Sequence, residues 1–194
     1  MLRLADFLKE WGVNSACVAG GGEPFMNKGM STLLRRMHEN GLESGVITNG
    51  SLLTNKDIST LAETCLWVGF SMDAATPRTY MNIKGIKNET LFGKVCENIM
   101  KLVRESKDTK CSVAYKYLLI PENQYEIYAA VKLAKSLGVR DFHLRPVGWD
   151  NLTKTKGKED YSYDLESINE QIARGQKLET ENFRVFGIRH KFNP

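Results

Sequence analysis

The sequence predicts an α/β fold, with about six mostly parallel strands alternating with helices in one domain over residues 1–194. Three observations carry this. Six stretches place apolar residues at helical spacing, and six short apolar runs lie between or after them. The chain has 194 residues, 42% hydrophobic and 26% charged, which suits one globular core.

The elements follow in order. Leu4, Phe7, Leu8 and Trp11 fall at i, i+3, i+4 and i+7, and Gly12 follows as a stop. The first strand is Ser15–Ala19. A second helix spans about 28–39, with Leu33, Leu34 and Met37 inward, and leads to the strand Ser44–Thr48. Thr54, with Asp57 three residues on, opens a third helix whose inner face is Ile58, Leu61, Ala62 and Cys65. Trp67–Ser71 is the third strand, and Ser71-Met72-Asp73 before Thr76-Pro77 reads as an Asx-turn. Leu91, Val95, Ile99 and Leu102 mark a fourth helix, followed by the strand Ser112–Leu119. A fifth helix opens near Asn123 and carries Ile127, Val131, Ala134 and Leu137. The strand Asp141–Arg145 comes next. Residues 164–174 form a sixth helix, closed by Gly175, before a last strand at Phe183–Ile188. The strands are short and apolar without clean alternation, which predicts cover on both faces.

Composition narrows the function classes. A net charge of +4 is mild, and Lys and Arg are interspersed with acids, so no basic stripe for nucleic acid is evident. The densest basic stretch, Lys154, Lys156 and Lys158, reads as a solvated loop. No apolar run is long enough to cross a membrane, and the first residues do not read as a signal peptide, so cytoplasm is the expected compartment. Cys17, Cys65, Cys96 and Cys111 are widely spaced, form no CxxC or CxxxCxxC pattern, and are expected as small buried hydrophobes.

Parallel α/β sheets put their chemistry at the carboxyl ends of the strands. After the first strand stands Gly20-Gly21-Gly22-Glu23-Pro24. The glycines let a ligand reach the backbone, and the carboxylate suits a cationic amine. No GKS or GKT follows, and the acid would repel phosphate. Thr48-Asn49-Gly50 ends the second strand in polar groups that also suit a turn. Ser71 and Asp73 share one side of the third strand by alternation. The fourth strand ends in Leu119-Ile120-Pro121, with Asn123 as a helix cap. Arg145 ends the fifth before Pro146-Val147, where a guanidinium can hold a carboxylate or a surface ion pair.

In that order these blocks resemble the radical S-adenosylmethionine (SAM) superfamily, nearest its molybdenum-cofactor-synthesis and SPASM-type subgroup. The resemblance rests on Gly21-Gly22-Glu23-Pro24, Ile47-Thr48-Asn49-Gly50 and Ser71-Met72-Asp73-Ala74-Ala75-Thr76-Pro77 with Tyr80 and Gly85. It covers residues 4–147, leaving 148–194 as loop, helix and last strand. Ala74 and Lys84 stand where the family has glycine and arginine.

The resemblance implies a partial (β/α) barrel, an incomplete TIM-like core. It implies that Gly21, Gly22, Glu23 and Pro24 hold the SAM amino group and that Thr48 and Asn49 line the adjacent strand end. Ser71 and Asp73 would face its ribose or methionine end, Leu119 and Ile120 its adenine, and Arg145 and Val147 its carboxylate and adenine. The family's 4Fe–4S cluster reductively cleaves SAM to a 5′-deoxyadenosyl radical. Its three cysteines precede the first strand here in a CxxxCxxC loop that this sequence lacks.

The expectation is therefore a portion of a longer enzyme, inactive alone, with weak SAM affinity and cluster ligands elsewhere. The alternatives are a cluster-less binding module of the same fold, and an unrelated barrel enzyme such as an aldolase using Lys116 as Schiff-base amine. The substrate is unnamed, with peptides or proteins implied by the subgroup; Tyr115, Tyr117, His143 and Trp149 are candidates to line its cavity. The edge of Ser15–Ala19 is expected to pair with a second copy or with Phe183–Ile188.

Overall fold

The computed structural model describes residues 2–146 and 163–187. Its helices are α1 (Leu2–Glu10), α2 (Met30–Glu39), α3 (Asn55–Thr64), α4 (Pro77–Lys84), α5 (Thr90–Glu105), α6 (Ile127–Ser136) and α7 (Leu165–Gln176). The strands are β1 (Ser15–Val18), β2 (Glu43–Thr48), β3 (Cys65–Ser71), β4 (Ser112–Leu119), β5 (Asp141–Pro146) and β6 (Arg184–Gly187). All neighbours are parallel, in the order β1-β2-β3-β4-β5-β6. The sheet is open, the partial barrel that the sequence predicts. Among the described residues no helix is long and apolar enough to cross a membrane.

Side chains alternate in burial along β5 and the carboxyl half of β4. One face packs beneath the helices, with Val46, Val68, Phe70, Tyr115, Tyr117, Phe142 and Leu144 nearly or fully excluded from solvent. The other face stays open. Lys116 and His143 are half-buried there, and Leu118 and Arg145 are exposed. This corrects the expectation of cover on both faces. Gly45, Gly69 and Ala114 are too small, and Trp67, Lys116 and His143 too amphipathic, to read as a polar face.

Three boundaries differ from the reading of the sequence. The segment after Asp73 is helix α4 rather than a bare turn. Thr76 caps it through its side chain, Pro77 opens it, and Gly85 closes it at φ 63°. The helix predicted from Asn123 is split into a 3-10 turn at Pro121–Asn123 and α6, because the Asn123 side chain bonds backward to Ile120 N–H. Gly175 lies inside α7 instead of ending it; a Cβ there would come within 3.1 Å of Val131. The glycine serves close packing of α7 on α6.

Strand β6 pairs with β5, so it does not cover β1 as one expectation had it. Burying Val185 against the helices requires β6 to extend the sheet at its growing edge. Among the described residues β1 has a neighbour on one side alone. Cys17 is exposed, against the expectation of burial, because it faces the open side of this edge strand, while Cys65, Cys96 and Cys111 are buried.

Candidate functional site

The carboxyl end of β1 runs into a glycine loop whose geometry only glycine adopts readily. Gly20 and Gly22 have φ of 107° and 151°, and Gly22 N–H bonds Gly20 C=O at 2.5 Å. A Cβ added at Gly20, Gly21 or Gly22 would meet nothing within 4 Å. The loop thus exposes bare backbone to open space. Glu23 caps the 3-10 helix Pro24–Met26 by accepting from Phe25 N–H at 3.2 Å, with Pro24 in the first helical position.

The Glu23 carboxylate also ties this loop to β2. One oxygen accepts from Thr48 Oγ1 at 2.6 Å, and the other from Asn49 N–H at 2.7 Å. Glu23, Thr48 and Asn49, predicted separately, are one hydrogen-bonded unit. The Asn49 side chain accepts from Ser51 N–H and Oγ, holding the turn. Gly50 is obligatory: φ is 73°, and a Cβ would lie 2.6 Å from the Phe70 ring.

A second group gathers at the ends of β3, β4 and β5. Ile47, Ser71, Asp73, Lys116, His143 and Arg145 line a cavity of about 240 Å³ with Leu118. Asp73 has φ 58°, an uncommon conformation for a residue other than glycine. That conformation aims its carboxylate back across the sheet. Oδ1 accepts from Leu118 N–H at 2.7 Å, and Oδ2 pairs with Lys84 Nζ at 2.5 Å. Its carbonyl accepts from buried Asn123 Nδ2 at 2.8 Å. Ser71 and Asp73 share the cavity, as alternation predicts, but the carboxylate already has partners.

The remaining predicted positions separate. Leu119 is fully buried on the helix side, so Leu118, its exposed neighbour, is the one that meets the cavity. Ile120 sits at the start of the 3-10 turn, half-buried. Tyr115 and Tyr117 also point to the helix side, where their hydroxyls donate to the carbonyls of Ala74 and Asn123. Burial pushes both phenols above their ordinary range. Tyr117 still borders the cavity, with its hydroxyl turned away to Asn123 C=O; His143 borders it too, and Tyr115 does not. Val147 and Trp149 lie outside the described residues.

Reading the sequence missed two hubs. Asn123 bonds Asp73 C=O, Leu118 C=O and Ile120 N–H, joining the ends of β3 and β4. Glu126 accepts from Ala75 N–H, Thr76 Oγ1 and Thr79 Oγ1, fastening the start of α4. Polar residues just after a strand were the available signal, but Asp73 and the start of α4, which they tie down, lie about fifty residues away. On the open face, Lys116 Nζ stands 3.1 Å from His143 Nδ1 and 5.3 Å from the Trp67 ring centre. Burial, then the nearby Arg145 charge, lowers the Lys116 ammonium from its ordinary value. Burial, then the Lys116 charge, pushes His143 down to about 4.

The described residues contain no group of three His, Cys, Asp or Glu side chains able to hold a metal ion, so they supply no cluster site. The bare glycine backbone and the acid beside it do fit SAM's methionine end, which presents an ammonium and a carboxylate.

Comparison with known proteins places this geometry. The family model of the radical SAM superfamily matches residues 1–134. The tungsten-containing aldehyde ferredoxin oxidoreductase cofactor-modifying protein of Pyrococcus furiosus is 30% identical over 124 residues, 62% of this chain and 34% of that protein. The S-adenosylmethionine-dependent nucleotide dehydratase of Psychrobacter lutiphocae is 31% identical over 73 residues, 37% of this chain and 24% of its own. The chain thus spans about a third or less of these curated relatives. The crystal structure of Streptococcus suis SuiB shares the fold, with a TM-score of 0.71 at 17% identity over 96% of this chain and 42% of SuiB. With the strand-end blocks in order on an open parallel sheet and the family model matched over most of its length, the chain belongs to the radical SAM superfamily.

Proposed function

We propose that this chain is the SAM-binding portion of a radical SAM enzyme whose cluster ligands lie outside the described residues. One observation carries the reading: Glu23 joins the open glycine loop after β1 to Thr48 and Asn49 after β2, making one polar rim beside bare backbone. Gly21, Gly22 and Glu23 would hold the methionine end of SAM, with Pro24 setting the loop's exit. Thr48 and Asn49 would border it, and Ser71, Asp73 and Arg145 would line the neighbouring cavity. Leu119 and Ile120 would support the adenine side from beneath. When bound, SAM supplies the family's source of a 5′-deoxyadenosyl radical.

The protein residues have simpler tasks. Glu23 accepts from Phe25, Thr48 and Asn49 and keeps acceptor capacity on Oε2 for an ammonium. The exposed Arg145 guanidinium faces the cavity with no ion pair among the described residues, ready for a carboxylate. SuiB, of the same fold, has been solved with SAM and with its precursor peptide SuiA. A peptide is accordingly the substrate class we favour for the whole enzyme.

Calorimetry with SAM tests this. The isolated chain should bind SAM saturably but weakly, about −4 to −6 kcal/mol, since no cluster anchors the ligand. Gly21→Val places a side chain in the open cradle at a φ that tolerates it and should abolish the heat without altering the fold. Absence of saturable binding in the wild-type chain, or unchanged binding in Gly21→Val, would overturn the reading.

A further inference from the structure

The open face of the sheet carries a cluster that the SAM-facing loops do not use. Two glycines clear room for it. A Cβ at Gly45 would lie 2.2 Å from the Trp67 indole, and one at Gly69 would lie 2.6 Å from Lys116 Cε. Lys116 therefore lies flat over β3, with its ammonium above the Trp67 ring. His143 is in register with Lys116, and Phe186 with His143, whose ring it meets edge-on at 5.0 Å.

Hydrogen-bond inventory decides what this cluster offers. An ammonium only donates, so His143 Nδ1 accepts from Lys116 and the imidazole carries its proton on Nε2. Lys116 keeps two N–H groups. The pair presents donors alone.

Nearby acids have other partners, although Asp141 Oδ1 accepts no hydrogen bond and its charge still acts on Lys116 and His143. Asp73 is taken by Lys84 and Leu118 N–H. Asp141, further down the open face, accepts from Ser112 Oγ at 3.3 Å and has Arg184 at 3.8 Å. Neither Lys116 nor Arg145 forms an ion pair among the described residues. The same cavity is lined by Ile47 and Leu118, and its volume of about 240 Å³ is below that of drug-sized pockets.

We propose that Lys116 and His143 form a substrate subsite for a carboxylate carried on a short aliphatic body, such as an acidic side chain or a chain terminus. This deepens the reading of the chain as part of a radical SAM enzyme. One ammonium and one neutral imidazole match a monoanion better than a phosphate dianion, and Ile47 and Leu118 take the aliphatic part. Lys116 lies deeper along the strands than Arg145, which leaves the rim to SAM.

The test uses the 194-residue chain with sodium butyrate as probe, sodium phosphate in parallel and sodium chloride as ionic control. Imidazole NMR signals of His143, assigned by their loss in His143→Gln, are followed at pH about 7.5. Butyrate should shift them saturably in the millimolar range, phosphate about tenfold more weakly, and chloride not at all. His38, remote from the cavity, should not move. Lys116→Met keeps the methylenes over Gly69 and should weaken butyrate about tenfold or more. If that variant fails to fold, Lys116→Gln makes the same comparison. No saturable butyrate shift, tighter phosphate than butyrate, or unaltered butyrate affinity in the lysine variant would each overturn the proposal. Butyrate binding without SAM binding would sink the SAM reading and leave this subsite standing.

Discussion

A single histidine illustrates how position changes chemistry. His143 has an ordinary pKa of 6.5, and burial followed by the Lys116 charge pushes it down to about 4. As pH falls below about 6.5 the unfolded chain takes up a proton that the folded chain refuses until about 4. The unfolded state then binds more protons, so folding stability is lost as pH is lowered across that window. The full shift bounds the loss at about 3 kcal/mol, and partial solvent access reduces it to about 1–2 kcal/mol. Urea midpoints should therefore show wild-type protein losing about that much more than His143→Gln between pH 7 and 4.5. Parallel losses in the two proteins would mean that His143 is not held neutral. Other residues needed the fold to be read at all. Asp73 was legible as a polar group at a strand end, but its positive φ and its bond to Lys84 arise from the β3–β4 junction.

At the scale of elements, the first five strands and most helices were readable from apolar spacing to within a few residues. The sixth strand was also found, but with a partner left open that only packing of Val185 decides. Helix α4 was missed although Thr76, Pro77 and Gly85 spell its start and stop; it has few inward apolar residues, and Tyr80 alone is buried. What secures it is Glu126, which accepts from Ala75, Thr76 and Thr79 from the far side of β4. Glu126→Ala removes the acceptor of three donors and should cost about 2 kcal/mol, while Glu126→Gln keeps one oxygen and should cost about half as much. Urea denaturation gives these values, and faster hydrogen exchange at Ala75 N–H should accompany them. Full protection at Ala75 in the alanine variant would show that α4 does not depend on this tie.

Over the whole molecule, the open sheet sorts the cysteines into two kinds. Burial pushes the Cys65 thiol up to about 12 and those of Cys96 and Cys111 up to about 11. Cys17 faces the uncovered side of the edge strand and is exposed. Of the four cysteines, one should react quickly with an aromatic disulfide reagent in native buffer, and mass spectrometry should place the label on Cys17. All four should react after guanidinium unfolding. Fast native labelling at any of the other three would contradict the packing described.

The amino-acid sequence by itself determined the parallel α/β class, the strand positions and the glycine, threonine–asparagine and serine–aspartate blocks at their ends. These follow from local patterns: apolar spacing, turn residues, and polar groups closing apolar runs. Only the tertiary structure decided which blocks join. Glu23 bonds Thr48 and Asn49 across twenty-five residues, Asn123 and Glu126 reach back about fifty, and one face of the sheet stays open enough to set Lys116 beside His143. Such pairs depend on strand register and on which face each side chain takes. A one-residue change of register reverses that face, and spacing along the chain does not record it.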